Sequence, residues 1–252
     1  MCTLILLRRP GYDWPLVLAA NRDEMIDRPA QPPARHWPDR PEVVAGLDQL
    51  AGGSWLGLND HGVVAGILNR FGTLGPAPGQ RSRGELVLEA LDHADALAAA
   101  LALGELNPRA YRSFNMIIAD NRDAFWLRHA DPSGTLPVEV RPIAAGLSMI
   151  AASDLDETET ARLVRYRPRF AAAAAPDPGS PDWAAWEALL ADDAPAAGGE
   201  PMSALRFVTE RGFATVSSAL IALPGADRSD VEPVFRYRAW QPIPGPWQDI
   251  RA

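Results

Sequence analysis

The sequence predicts an α+β fold in which antiparallel hairpins dominate and helices lie outside the sheets. Three observations carry this reading. Short apolar runs of strand length recur in pairs separated by turn residues. The clear helical periodicities are grouped in the middle of the chain and strand character returns after them, which is the segregation of an α+β arrangement. No G-x-G-x-x-G or phosphate-loop string argues for a nucleotide-binding parallel sheet. With 252 residues, 47% of them hydrophobic, the chain can bury a sizeable core. We read it as a single domain, 1–252, interrupted by a proline-rich loop at 29–41 and by Ala/Pro/Gly-rich linkers at 175–181 and 194–201.

The chain opens on Cys2-Thr-Leu-Ile-Leu-Leu-Arg8, an apolar run followed by the turn residues Pro10-Gly11-Tyr12-Asp13. Residues 14–20 complete a hairpin, and Asn21-Arg22-Asp23-Glu24 sits at its far end. Five prolines within 29–41 argue for an ordered surface loop without regular structure. Ser54-Trp-Leu-Gly-Leu58 and residues 63–68 flank the turn Asn59-Asp-His-Gly62 as a second hairpin. A glycine-rich loop over 72–79 leads to the clearest helix. Ser82 with Glu85 predicts a capping box, and Leu86, Leu88, Leu91, Ala94, Leu97 and Leu101 predict one continuous apolar stripe. Residues 114–120 and 124–129 form a third hairpin, with further strands near 138–141 and 147–151. Helices are expected over 157–174 and 183–190, and strands over 215–223 and 234–240.

Composition narrows the function. A net charge of −8 argues against a nucleic-acid backbone binder. All 24 basic side chains are arginine, a residue suited to bidentate carboxylate contacts. A single cysteine excludes an intrachain disulfide framework and any cysteine-rich zinc site. His36, His61, His93 and His129 lack metal-ligand spacing, so neither a metal nor a required cofactor is expected. The apolar run 4–7 is too short for a signal peptide, and no stretch approaches the roughly 20 apolar residues of a membrane span. The expectation is a soluble, cytoplasmic protein.

The most informative residue is Cys2. If Met1 is removed, Cys2 carries both a thiol and a free α-amine whose unperturbed pKa is about 7.7–8.0, a minimal nucleophile and base. A lone cysteine on a first strand is often just a small buried apolar residue. The hairpin brings residues 21–24 back beside Cys2, so Asp23 can accept a hydrogen bond from that amine. Arg22 can lower the thiol pKa or clamp a substrate carboxylate. An ordinary solvated polar turn is the competing account of the same four residues. Trp37 and Trp55 are candidates to line an apolar pocket, although core packing is the commoner use of tryptophan.

Taken together, Met1-Cys2-Thr3, Asn21-Arg22-Asp23-Glu24, Arg28-Pro29 with Trp37, and Gly53-Ser54-Trp55-Leu56-Gly57 resemble the NRDE family, that of the transport and Golgi organisation protein 2. Leu68-Asn69-Arg70, Ser82-Arg83-Gly84-Glu85-Leu86, Phe114-Asn115 and Thr215-Val216-Ser217-Ser218 extend the resemblance along the chain. The resemblance implies an N-terminal-nucleophile-hydrolase-like fold, a four-layer αββα sandwich of two antiparallel sheets between helices. By position in the motifs, Cys2, Arg22 and Asp23 correspond to the catalytic cysteine, arginine and aspartate of cysteine-type relatives. Asn69 corresponds to an oxyanion-binding asparagine. Asn21, Glu24, Arg70 and Asn115 are the remaining candidates for substrate contact. The implied activity is hydrolysis of an amide or thioester with an apolar acyl group. The alternative left open is a carrier on the same fold that binds and moves haem or a lipid- or acyl-CoA-like ligand. This chain departs from the family at Ala151-Ala-Ser-Asp-Leu-Asp156, where Ser153 and Asp154 replace a usual asparagine.

Overall fold

The computed structural model describes residues 2–180, 182–228 and 230–251. In chain order the first elements are β1 (Thr3–Arg8), β2 (Leu16–Met25), β3 (Ala30–Ala34), β4 (Val43–Asp48), β5 (Leu56–Asn59), β6 (Val64–Asn69), α1 (Gly84–Leu91) and α2 (Ala96–Gly104). Then follow β7 (Phe114–Ala119), β8 (Ala124–His129), β9 (Glu139–Pro142), β10 (Gly146–Ile150), α3 (Ala161–Ala172), α4 (Ala184–Leu190), β11 (Phe213–Leu223), β12 (Val234–Ala239) and β13 (Gln248–Ile250). They fall into two compact units. One comprises Met1–Arg28 and Ala145–Ile250, the other Pro29–Ala144 with Arg251–Ala252.

Each unit is built on one antiparallel sheet with its own helices, so the α+β class holds. The first unit's sheet has the order β10-β1-β2-β11-β12-β13. Its register sets Thr3 opposite Asn21, Asn21 opposite Ser218 and Asp23 opposite Thr215, with a bulge between Thr215 and Ser217. Alternation along the strands separates two faces. Ile5, Val17, Ala19, Leu220 and Ala222 pack with Leu163, Tyr166 and Phe170 of α3 and with Trp186 and Leu190 of α4. Thr3, Asn21 and Asp23 continue that helix-covered face. Cys2 and Arg22 fall on the opposite one.

The second unit's sheet is an uninterrupted meander, β3-β4-β5-β6-β7-β8-β9. Its core joins Val43, Ala45, Val63, Ala65, Met116, Ile118 and Leu127 of the strand regions to Leu86, Val87, Ala90 and Leu91 of α1 and to Ala99, Ala100 and Leu103 of α2. The Gly53-Ser-Trp-Leu-Gly57 string serves this packing. A β-carbon on Gly53 would overlap the Gly84 carbonyl carbon at the start of α1. One on Gly57 would overlap the Ala45 β-carbon and crowd Leu91.

Several expectations are corrected. The segment 29–41 is not wholly irregular: Ala30–Ala34 forms β3 despite Pro32 and Pro33. Proline removes a donor, but β3 is an edge strand and its register slips between Gln31 and Ala34, so few ladder bonds are lost. The motif residues Asn21 to Glu24 lie inside β2, not beyond its end. Strands β4 and β13 add to those the sequence predicts.

The long central helix is two helices. Glu85 does not reach back to close a capping box. It accepts from the Tyr111 hydroxyl and pairs with Arg81. Asp95 then caps a fresh start, accepting from Ala98 N at 2.7 Å. The break re-registers the stripe, so Ala96, Ala99, Ala100 and Leu103 are buried. Leu97 and Leu101 are left 47% and 59% exposed. Helix α3 begins later than expected because Glu157 accepts from the N–H groups of Glu159 and Thr160 and holds a turn there.

The turn between β7 and β8 also fastens α2. Asp120 Oδ1 accepts from Arg122 N and Asp123 N, both at 2.7 Å, and Oδ2 accepts from Ala96 N at 3.0 Å. Asp120→Ala strips three N–H groups of their partner and is expected to destabilise the chain by about 2–3 kcal/mol. Asp95→Ala removes one cap, about 1 kcal/mol. Chemical denaturation should rank the two variants in that order; the reverse order would contradict the assignment of Asp120 as the shared anchor.

Candidate active site

Cys2 lies at the open end of the β1–β2 hairpin. Its Sγ donates to the Asp23 carbonyl oxygen at 3.6 Å and accepts from the Asp23 N–H at 3.4 Å. The part of Asp23 that brackets the sulfur is therefore its main chain. The residue as a whole is partly exposed, but its thiol is enclosed. Burial pushes the thiol pKa up, the Asp23 charge pushes it further, and the Arg22 charge opposes both. A raised thiol pKa keeps the proton on sulfur at neutral pH, so attack by Cys2 requires a base.

The Asp23 carboxylate is turned to the helix side of the sheet and is fully enclosed. Its Oδ2 accepts from Arg162 Nη1 at 2.9 Å, and its Oδ1 from Thr215 Oγ1 at 2.8 Å. The two paired side chains are 0% and 1% exposed. Arg162 also donates from Nη1 to Thr3 Oγ1 at 2.9 Å, and from Nε and Nη2 to the Met202 carbonyl at 3.1 and 2.8 Å. Its guanidinium carbon lies 5.2 Å from the Phe207 ring centre. Sequence reasoning missed Arg162, which is 139 residues from its partner. A signal existed: Arg162 shares the buried stripe of α3 with Leu163, Tyr166 and Phe170, and a charge on such a stripe needs an opposite charge facing it.

The other candidates of the motif hold the strands in place. Asn21 Nδ2 donates to the carbonyls of Leu190 and Leu205 at 3.0 and 2.9 Å. Its Oδ1 accepts from Ser218 Oγ at 2.5 Å, and Ser218 in turn accepts from Trp240 Nε1 at 2.7 Å. Both amide protons of Asn21 are thus spent inside the fold, and none is left for a substrate. Glu24 accepts from Met25 N at 2.8 Å and lies 3.7 Å from Arg28 Nε. Arg22 is buried opposite Ser217. The neighbouring Tyr237 phenol is pushed up by burial, while a hydrogen bond with Ser217 and the Arg22 charge pull the other way. Cys2, Arg22, Ser217 and Tyr237 therefore form the polar group on one face of the sheet.

The remaining candidates lie in the second unit. Asn69 ends β6 opposite Phe114. Asn115 is fully buried, and its Oδ1 accepts from Arg70 Nη1 at 2.6 Å and Trp126 Nε1 at 3.2 Å. Trp37 donates to the Gly52 carbonyl at 3.0 Å and packs on the second unit's core. The Trp55 ring fills the space where a side chain at Gly46 would lie. In the departing segment, Ser153 Oγ donates to Glu157 at 2.9 Å. Asp156 takes a left-handed backbone with φ 55° and accepts from Met149 N at 2.7 Å and Arg167 Nε at 2.8 Å. Among the described residues no group of three or more His, Cys, Asp or Glu side chains is placed to hold a metal ion. No helix among them is long and apolar enough to cross a membrane.

The family described as Transport and Golgi organisation 2 matches residues 1–175. The Transport and Golgi organization 2 homolog of Mus musculus is 37% identical over 108 residues, which cover 42% of this chain and 38% of that protein. The homolog of Homo sapiens is 33% identical over 144 residues, covering 53% of this chain and 50% of that protein. The match thus spans about half or less of these relatives' length. Among solved structures, penicillin V acylase from Agrobacterium tumefaciens matches with a TM-score of 0.59 at 14% identity, over 98% of this chain and 86% of that one. The C2A mutant of conjugated bile acid hydrolase from Clostridium perfringens matches at 0.54 and 10%, over 99% and 92%. A Caenorhabditis elegans N-acylethanolamine-hydrolyzing acid amidase ortholog matches at 0.55 and 12%, over 91% and 95%. These likenesses are of fold.

The raised thiol pKa has a direct readout. In the full chain, alkylation of Cys2 by iodoacetamide should be slow at pH 7 and should still be accelerating above the ordinary thiol midpoint near pH 8.5. A rate that levels off at or below that pH would contradict the enclosure of the sulfur.

Proposed function

The chain belongs to the Transport and Golgi organisation 2 family, and from that premise we propose that it is a hydrolase whose N-terminal cysteine attacks an amide or thioester carrying an apolar acyl group. The observation that carries this reading is Cys2, the sole cysteine, bracketed by the Asp23 main chain on the sheet face that also bears Arg22. The similar solved structures support the substrate class by their names: an acylase, a conjugated bile acid hydrolase and an N-acylethanolamine-hydrolyzing amidase. The second of these also carries a cysteine at position 2 in its unmutated form.

In the proposed sequence, Met1 is first removed, so that Cys2 gains a free α-amine. The amine takes the thiol proton and the sulfur attacks the acyl carbon, forming a tetrahedral oxyanion. Arg22 stabilises the thiolate and the developing negative charge. The Asp23 main-chain carbonyl, the part of Asp23 that faces Cys2, accepts a hydrogen bond from the ammonium and orients it. The ammonium returns its proton to the departing amine or thiol as the carbon–heteroatom bond breaks, leaving a thioester on Cys2. Water, deprotonated by the same amine, then attacks the thioester, releases the carboxylic acid and restores the thiol. The raised thiol pKa suits this scheme, since the proton must be handed to a nearby base and not lost to solvent.

The test is turnover of a panel of N-acyl amides and acyl thioesters by the wild-type chain and Cys2→Ser. The near-isosteric variant should fold normally and lose turnover by at least about a hundredfold, because a serine hydroxyl is a far weaker nucleophile with the same base. Equal turnover in both would sink the hydrolase reading. Absence of turnover in both, with haem or an acyl-CoA raising the melting temperature of both equally, would favour the carrier alternative.

A further inference from the structure

We propose that Arg162 is a positioning residue for Cys2: from α3 it grips Thr3 and Asp23 together and so fixes the two strands between which the sulfur is held. Only the importance of Cys2 reactivity rests on the hydrolase reading; the clamp itself is independent of it. Thr3 follows Cys2 directly, and the Asp23 main chain brackets the Cys2 sulfur at 3.4 and 3.6 Å. A single Arg162 nitrogen, Nη1, lies 2.9 Å from both Thr3 Oγ1 and Asp23 Oδ2. The rest of the guanidinium is anchored on the Met202 carbonyl and stacked over Phe207, so the clamp is itself held from two sides. Cys2 sits beyond the last ladder pair between β1 and β2, Thr3 with Asn21, at the end remote from the turn. That is where a hairpin frays unless a tertiary contact fastens it. Asparagine or glutamine in place of Arg162 could not reach three acceptors with one planar fork.

The clamp also has an electrostatic consequence. The charged and titratable groups around Cys2 are Arg22 and Asp23 on β2, the chain's α-amine, Tyr237 on β12 beyond Arg22, and Arg162 on α3 behind Asp23. The Asp23 charge disfavours the thiolate, and Arg162 is a cation in direct contact with that carboxylate. Removing Arg162 alone leaves the carboxylate's field acting on the thiol. Removing both charges relieves it.

The test is the pH dependence of Cys2 alkylation by iodoacetamide in the full chain, for wild type, Arg162→Lys, Arg162→Met and the double variant Asp23→Asn with Arg162→Met. With only one cysteine in the chain, the signal reports that site alone. Arg162→Met should move the profile up by about one pH unit, which reads as roughly tenfold slower alkylation at pH 7.5. Arg162→Lys keeps the charge but not the fork and should fall between wild type and Arg162→Met. The double variant should return to or below the wild-type midpoint. Faster alkylation in Arg162→Met would show the hairpin end fraying and would support the clamp while overturning its electrostatic consequence; superimposed profiles would overturn the proposal. Should Arg162→Met not fold, the comparison passes to Arg162→Lys, where a profile identical to wild type overturns it equally. Alkylation needs no substrate, so the two readings fail separately. Shifted profiles without hydrolysis in any variant remove the hydrolase and leave the clamp. Unshifted profiles with intact hydrolysis do the reverse.

Discussion

Taking a carboxylate and a guanidinium out of water carries a penalty of several kcal/mol for each ion, repaid only when geometry is good and the remaining donors find acceptors. Asp23 and Arg162 meet that condition. Every nitrogen of Arg162 has an acceptor in Thr3, Asp23 or the Met202 carbonyl, and both Asp23 oxygens are engaged. The pair ties α3 and the 202–207 segment to β1 and β2, elements far apart in sequence. Loss of either partner would leave an uncompensated buried charge, which typically destabilises by about 3–5 kcal/mol. The same pair decides which part of Asp23 faces the cysteine. Once the carboxylate is committed to the helix side, only the main chain is left to meet the sulfur.

Beside it runs a neutral network with the same logic. Asn21 bridges the Leu190 and Leu205 carbonyls and, through Ser218, the indole of Trp240. Three successive motif residues thus divide their work by strand alternation. Asn21 and Asp23 pin the helices and the 190–205 segment to the sheet, and Arg22 between them is left on the face of the thiol. A string that reads as one functional motif is, physically, two structural anchors flanking one residue on the face of the thiol.

Much of the fold was legible because its signals are local. The three hairpins, the strand-helix-strand segregation and the two C-terminal strands follow from period-2 runs and turn residues. The failures trace to competition that local pattern does not reveal. Pro32 and Pro33 are tolerated because β3 lies at a sheet edge. The apolar stripe through Leu97 and Leu101 looked continuous because its spacing is helical, yet Asp95 and Asp120 supply a second N-terminus and rotate the next helix. At the site, adjacency of Cys2 to Arg22 and Asp23 followed from hairpin arithmetic. Arg162 did not, because its partner is set by how α3 docks, and a helix stripe reports burial without saying what it meets. Gly53 and Gly57 carried a family signature whose cause, close approach of α1, is visible only in three dimensions.

The central claim is that Cys2 becomes an N-terminal nucleophile, and the intact mass of freshly purified, untagged protein tests it most directly. The measurement is made before and seconds after mixing with N-acyl amide and acyl thioester substrates, with an acid quench. The account predicts a chain one methionine lighter that transiently gains the mass of the acyl group, located at Cys2 by fragmentation. A chain that retains Met1 and shows no adduct with any acyl donor would contradict it.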